Sequence, residues 1–222
     1  MDLTPELRRW LRRRLLRWGR VNFRDFEWRR DRDGYRTLIT EVLLRQTSAA
    51  HIRETRRQFL TRYPTPESLA RADAAAVTTQ VSVLGFGNQR GPQLVGLARE
   101  LVARGGVPTR RDRLRELPGV GDYTGAAVAC FAFGRREPAL DVNVARILAR
   151  VLAIRPAHGE LRKNADVKAA ARALVDGPRP RELNWALLDL GALVCKPRPA
   201  CGMCPLRNRC DYGIRSYQPF SR

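Results

Sequence analysis

The sequence predicts an all-α protein, and three features carry that expectation. Apolar residues recur at three- and four-residue spacing in one segment after another; no run alternates apolar with polar residues as a half-buried strand would; and Gly, Pro and capping residues punctuate the chain at helix length. Thr4 and Pro5 read as a cap and a first helical position, opening a basic helix whose Leu7, Trp10, Leu11, Leu15 and Trp18 share one face. Such a stripe suits a helix packed on a core and also one lying on acidic lipid. After a charge-dense stretch, 24–34, a second helix follows from Tyr35, Leu38, Ile39, Val42 and Leu43, and a third over 49–63 stops at Pro64. Thr65 and Pro66 begin a short helix. Gly85, Gly87 and Gly91 are expected to break the chain before a helix over 94–102, which Gly105, Gly106 and Pro108 end. Further helices are expected over 123–133, 142–152, 166–174 and 183–194, with short loops between them.

Charge narrows the function. The chain of 222 residues carries 42 Lys and Arg against 22 Asp and Glu, a formal charge of +20. So much like charge calls for a polyanionic partner, and nucleic acid leads over a membrane surface. No apolar stretch approaches the roughly 20 residues of a membrane helix, and the N-terminus, alternating Arg with Leu and Trp, lacks the apolar run of a signal peptide. A soluble, monomeric, cytoplasmic protein associated with the nucleoid is expected, with no membrane partner.

Four of the five cysteines, Cys195, Cys201, Cys204 and Cys210, crowd into sixteen residues at intervals of six, three and six positions. In a reducing compartment such a group reads as metal ligation ahead of disulfides. Zinc sites usually draw on two C-x-x-C pairs or on histidines, whereas here one such pair occurs and His51 and His158 lie far away in sequence. A cubane of four irons and four sulfides accepts the wider spacing. Cys130, among Val128, Phe131 and Phe133, reads as a core thiol.

Leu117-Pro118-Gly119-Val120-Gly121 leads into Asp122-Tyr123-Thr124-Gly125-Ala126-Ala127-Val128. Two glycines around one apolar residue, ahead of a helix, let backbone amides face a phosphate while Val120 anchors the turn; an ordinary helix-to-helix turn has the same outline. Further on, Asp141 in Leu140-Asp141-Val142-Asn143-Val144-Ala145-Arg146 falls where a helix should begin. It reads as an N-cap and also as a carboxylate at the positive end of a helix dipole, suited to face a developing cation. Asn143, one turn in, is either a plain polar residue or an aid in holding a sugar.

Taken in order, LPGVGDYTGAAV, DVNVAR and the clustered cysteines resemble the helix-hairpin-helix DNA glycosylases with a Gly/Pro-rich loop and catalytic Asp, among them endonuclease III and the MutY-type adenine glycosylases. The resemblance covers roughly 22–212. It implies two helical lobes, a six-helix domain bearing the hairpin (29–136) and a lobe assembled from 1–28 and 137–222 that holds a 4Fe-4S cluster on the four cysteines. Five residues separate the first two of these, one fewer than the family's usual six. It further implies that Asp141 is the catalytic carboxylate near the lobe junction, and that double-stranded DNA with a mismatched or damaged base binds through Gly119, Val120 and Gly121. The target nucleotide is extruded from the stack, with Gln46 filling the gap and Phe86 acting as a wedge. Relatives that also cut the strand use a Schiff-base lysine where Tyr123 stands, and no lysine precedes Lys163. Base removal without efficient strand cleavage is therefore expected.

The base itself is less determined. Glu41, a carboxylate among apolar neighbours, matches the acid that protonates the leaving purine in adenine glycosylases. Archaeal thymine mismatch glycosylases are similar in carrying a Glu there, and in Gly87-Asn88-Gln89-Arg90, Tyr123 and Cys130-Phe131-Ala132-Phe133-Gly134. Only twelve residues follow Cys210, too few for the domain with which MutY-type enzymes read oxidised guanine. Thymine or uracil opposite guanine is the expected substrate; the alternatives are an adenine glycosylase without that domain and a non-catalytic DNA-binding module.

Overall fold

A computed structural model describes residues 3–45, 47, 49–85, 87–155 and 159–216. Among these the regular structure is helical, as the apolar spacing requires. In chain order the α-helices are α1 (Pro5–Asn22), α2 (Gly34–Leu43), α3 (Ala49–Arg62), α4 (Pro66–Ala70), α5 (Ala74–Val81), α6 (Gly87–Ala103), α7 (Arg111–Arg115), α8 (Asp122–Phe131), α9 (Val142–Leu152), α10 (Ala165–Val175), α11 (Pro180–Leu193) and α12 (Asp211–Ser216). No helix among the described residues is long and apolar enough to cross a membrane. The chain divides into two compact units, one of Phe26–Arg135 and one joining Met1–Asp25 to Arg136–Arg222.

In the unit of Phe26–Arg135, α2 is the central helix. Asp33 caps it, its carboxylate accepting from the Arg36 amide at 2.7 Å, and Tyr35, Leu38, Ile39, Val42 and Leu43 are buried in a core shared with α3, α5, α6 and the hairpin. The helix α4 opens on a capping box between Thr65 and Ser68. The glycine-rich stretch behaves differently from expectation: α6 begins at Gly87 rather than after Gly91, and runs through Gly91 and Pro92. Gly91 is there for packing, since a Cβ on it would lie 2.8 Å from the Ala74 carbonyl and closer still to Thr78. The absence of a side chain lets α5 and α6 touch backbone to backbone.

In the other unit, α1 buries Leu11 and Leu15 and packs Leu7, Trp10 and Trp18 against a core formed with α9, α10 and α11. Most of the apolar face of α1 is thus packed inside the protein. Arg12 reaches the Leu174 carbonyl at 2.5 Å and the Pro178 carbonyl at 2.5 Å, closing the end of α10 with a cation. Asp189, fully buried on α11, is neutralised by Arg24, whose side chain donates at 2.6 Å and whose backbone amide donates at 3.1 Å.

Candidate functional site

The unit of Phe26–Arg135 contributes the hairpin between α7 and α8. Gly119 has φ +74, which a side chain disfavours, and its carbonyl accepts from Arg45 Nη1 at 3.0 Å. Val120 is buried against the core while Gly119 and Gly121 on either side are exposed. Gly121 is the N-cap of α8 and offers no side chain to its first amides, so they face outward without a capping oxygen. Asp122 is held by Arg115 at 2.7 Å and Arg111 at 3.3 Å. An outward turn whose anchor is apolar and whose exposed positions are glycine can bring backbone amides against a phosphate.

Beside it lies a second feature. Glu41 on α2 is buried, and its Oε2 has no hydrogen-bond partner. Burial pushes its carboxyl up to about 7, against the opposing effects of a hydrogen bond from Tyr123 and the charge of Arg29. The structure therefore brings Glu41 and Tyr123 together, a carboxyl poised to exchange a proton near neutrality and a half-buried phenol.

In the other unit Asp141 is the N-cap of α9, its backbone extended at φ −93 and ψ −177. One carboxylate oxygen accepts from the Val144 amide at 2.7 Å and the other from Asn143 Nδ2 at 2.8 Å. Asn143 Oδ1 accepts in turn from Arg146 Nη2 at 2.8 Å, and the same guanidinium donates to the Cys195 carbonyl at 2.7 Å. The segment entering this cap is fixed by Asn184, which is buried on α11, accepts from the Ala139 amide at 2.9 Å and donates to the Glu137 carbonyl at 3.0 Å. Half-buried and oriented on both oxygens, Asp141 is a carboxylate whose position is determined by its neighbours. Arg146 and Asn184 escaped the sequence reading. Arg146 was discoverable by its three-residue spacing from Asn143 on one helix face, whereas Asn184 is distant in sequence and gave no local signal.

Cys195, Cys201, Cys204 and Cys210 line one small cavity, together with Arg150, Val194, Pro199, Arg207, Tyr212 and Gly213. None of the four forms a disulfide. Among the described residues no group of three or more His, Cys, Asp or Glu is arranged to hold a metal ion. Four thiols lining one cavity supply the all-sulfur donor set that a multi-iron group takes. Burial pushes the Cys204 thiol up to about 11. Arg150 supports the loop, donating to Cys195 Sγ at 3.4 Å and to the Lys196 and Pro197 carbonyls at 2.7 and 2.8 Å. Gln46 and Phe86 lie outside the described residues.

Residues 39–177 match the HhH-GPD superfamily of base excision DNA repair proteins. The chain is similar to a thymine-DNA glycosylase from Aeropyrum pernix, 39% identical over 91% of this chain and 93% of the relative. A thymine/uracil-DNA glycosylase from Methanothermobacter thermautotrophicus is 35% identical over 95% and 96%. The solved structure of a thermostable thymine-DNA glycosylase superimposes with a TM-score of 0.88 at 33% identity, over 96% of this chain and all of that one. With a family match across more than half its length and relatives aligned nearly end to end, the chain belongs to the HhH-GPD superfamily of base excision DNA repair proteins.

Proposed function

We propose that the chain is a monofunctional DNA glycosylase that hydrolyses the N-glycosidic bond of thymine or uracil mispaired with guanine in double-stranded DNA. The observation that carries this reading is the near end-to-end similarity to thymine- and thymine/uracil-DNA glycosylases. Breaking the bond between C1′ and the base nitrogen leaves the electron pair on the base and positive charge on the sugar. A carboxylate beside that charge stabilises the transition state, and Asp141, oriented by Val144 and Asn143, is the residue assigned to it. Water then adds to C1′ and loses a proton. Glu41 holds a proton near neutral pH and is assigned to supply it to the departing base. Gly119, Val120 and Gly121 are assigned to a backbone phosphate, Gln46 to the gap left by the extruded nucleotide and Phe86 to the opposite strand. Tyr123 has no amine, so strand cleavage through a Schiff base is not expected.

The four cysteines are assigned to a 4Fe-4S cluster. When bound, it would supply iron–thiolate bonds that cross-link the C-terminal loops. The test of the catalytic reading is a panel of duplexes, each with one mismatch, treated with protein and then with alkali. Alkali-dependent breaks at thymine and uracil opposite guanine are expected. Release of adenine alone would overturn the substrate, and release of no base from any duplex would overturn the enzyme.

A further inference from the structure

Arginines on several helices of this protein meet a carboxylate one turn away: Arg57 with Glu54, Arg104 with Glu100, Arg179 with Glu182 and Arg215 with Asp211. The helix α1 departs from that pattern. Arg9, Arg13, Arg17 and Arg20 are all exposed, and none forms an ion pair among the described residues. The one acid on the helix, Glu6, is held by Arg209 at 2.7 Å. At about 100° per residue the four arginines fall within an arc of about 80°, opposite Leu11 and Leu15, along roughly 16 Å of helix. Like charges one turn apart oppose helix formation, and Glu6, which Arg9 alone of the four feels, is the one acid near the row, so a row with so little acidic relief calls for an external anion.

The chemistry of that anion follows from what the face lacks. Leu11 and Leu15 are fully buried and Leu7, Trp10, Leu16 and Trp18 pack on the core, which leaves Val21 as the large apolar side chain exposed on the helix, a single residue where insertion into a bilayer takes a whole apolar face. Guanidinium groups alone meet the partner, and a regular row of them complements a regular row of phosphates. Each strand of a duplex presents one charge per about 3.4 Å of axis, so a stripe of this length runs alongside roughly five phosphates of the nearer strand. We propose that the arginine face of α1 is a docking surface for the phosphate backbone of undamaged double-stranded DNA, used in search and not in base release. The proposal extends the glycosylase reading by assuming DNA as partner.

The test compares the full-length protein with the quadruple variants Arg9→Gln/Arg13→Gln/Arg17→Gln/Arg20→Gln and the corresponding four Arg→Lys changes. Affinity for an undamaged duplex is measured from 50 to 200 mM salt, roughly the range over which backbone contacts are lost. With about 0.9 counterions released per contact, the glutamine variant should show a salt slope shallower by about 3 to 4, and wild type should lose on the order of 100-fold more affinity across the range. The lysine variant should keep the wild-type slope, and base release at saturating protein on a mismatched duplex should be unchanged in both. An unaltered slope in the glutamine variant, a slope lost equally in the lysine variant, or slower base release at saturation would each overturn the proposal. So would loss of binding to phosphatidylserine vesicles with the DNA slope intact, which would make the partner a membrane. Absence of base release from every protein would strike the glycosylase reading alone, because the slopes on undamaged DNA still decide the surface.

Discussion

Asp141 caps α9 and is also the residue assigned to the sugar cation, and one substitution separates those tasks. Asparagine caps a helix about as well as aspartate and can still accept from Val144, so Asp141→Asn should alter unfolding stability by less than about 0.5 kcal/mol. Base release should fall by roughly 100-fold or more, as when a charge aimed at a transition state is removed, with DNA affinity equal or higher. Parallel loss of stability, binding and activity would reduce Asp141 to a cap. Glu41 makes a prediction of opposite sign. Its folded pKa of about 7 lies above the ordinary 4.5, so the native state holds the proton more tightly than the unfolded chain. That contribution is complete below about pH 4.5 and is lost as pH rises through about 7. The effect of Glu41→Gln on stability should therefore be more favourable at pH 8 than in acid by about 3 kcal/mol, the pKa difference of Glu41, while any cost of an unpartnered amide falls equally at both pH values. Base release should fall in the same variant; denaturant melts at two pH values and single-turnover rates check both halves. Tyr123, hydrogen-bonded to Glu41, stands where strand-cleaving relatives are expected to have lysine. Tyr123→Lys should introduce strand cleavage and borohydride trapping on DNA, and efficient trapping of wild type would end the monofunctional assignment.

Among the elements, the hairpin offers two glycines that differ in what they require. At Gly119 the strain of φ +74 alone should make Gly119→Ala cost about 1 to 2 kcal/mol. Gly121 has φ −88 and nothing within 4 Å of an added Cβ, so Gly121→Ala should fold as wild type. If a phosphate seats on this turn, the same methyl should weaken DNA binding by on the order of 10-fold, equivalent to about 1.4 kcal/mol; unchanged affinity would move the contact elsewhere. The hairpin was legible because glycine, proline and one apolar anchor specify a turn locally, as were α2 and α9, whose apolar residues keep a helical period. The start of α6 was not legible. Gly91 looked like a breaker because its reason for being glycine, contact with Ala74 and Thr78, lies across a helix crossing. The helix α5 went unseen because only Val77 and Val81 of it are buried, and α7 and α12 are five and six residues long, too short to express a period. Asp141 and Asn143 could be named from sequence, but the bonds joining them to Arg146 and Cys195 needed the packing of α9 against α11.

On the scale of the whole molecule, the stretch from Cys195 to Ser216 depends least on an apolar core. Its regular structure is two three-residue 3₁₀ turns and the six-residue α12, each shorter than a helix that could persist alone. Leu206 and the cysteines themselves are its main buried contribution. Arg150 and Arg146 donate to the carbonyls of 195–197, which secures only the entrance to the loop. Further along, Arg14 donates to the Pro205 carbonyl, Arg209 pairs with Glu6 and Arg150 lies over the Tyr212 ring; exposed contacts of this kind contribute little each, so whatever the thiols bind is expected to add much of the hold on Cys201, Cys204 and Cys210. If that is a 4Fe-4S cluster, purified protein should be brown and contain about four irons and four acid-labile sulfides per chain. Cys204→Ser or treatment with an iron chelator should expose 195–216 to limited proteolysis and lower the melting temperature, because ligand binding and local folding are one equilibrium. Stoichiometric zinc without sulfide would replace the cluster with a single ion, and a metal-free protein whose C-terminal loops resist protease would mean that packing alone suffices there.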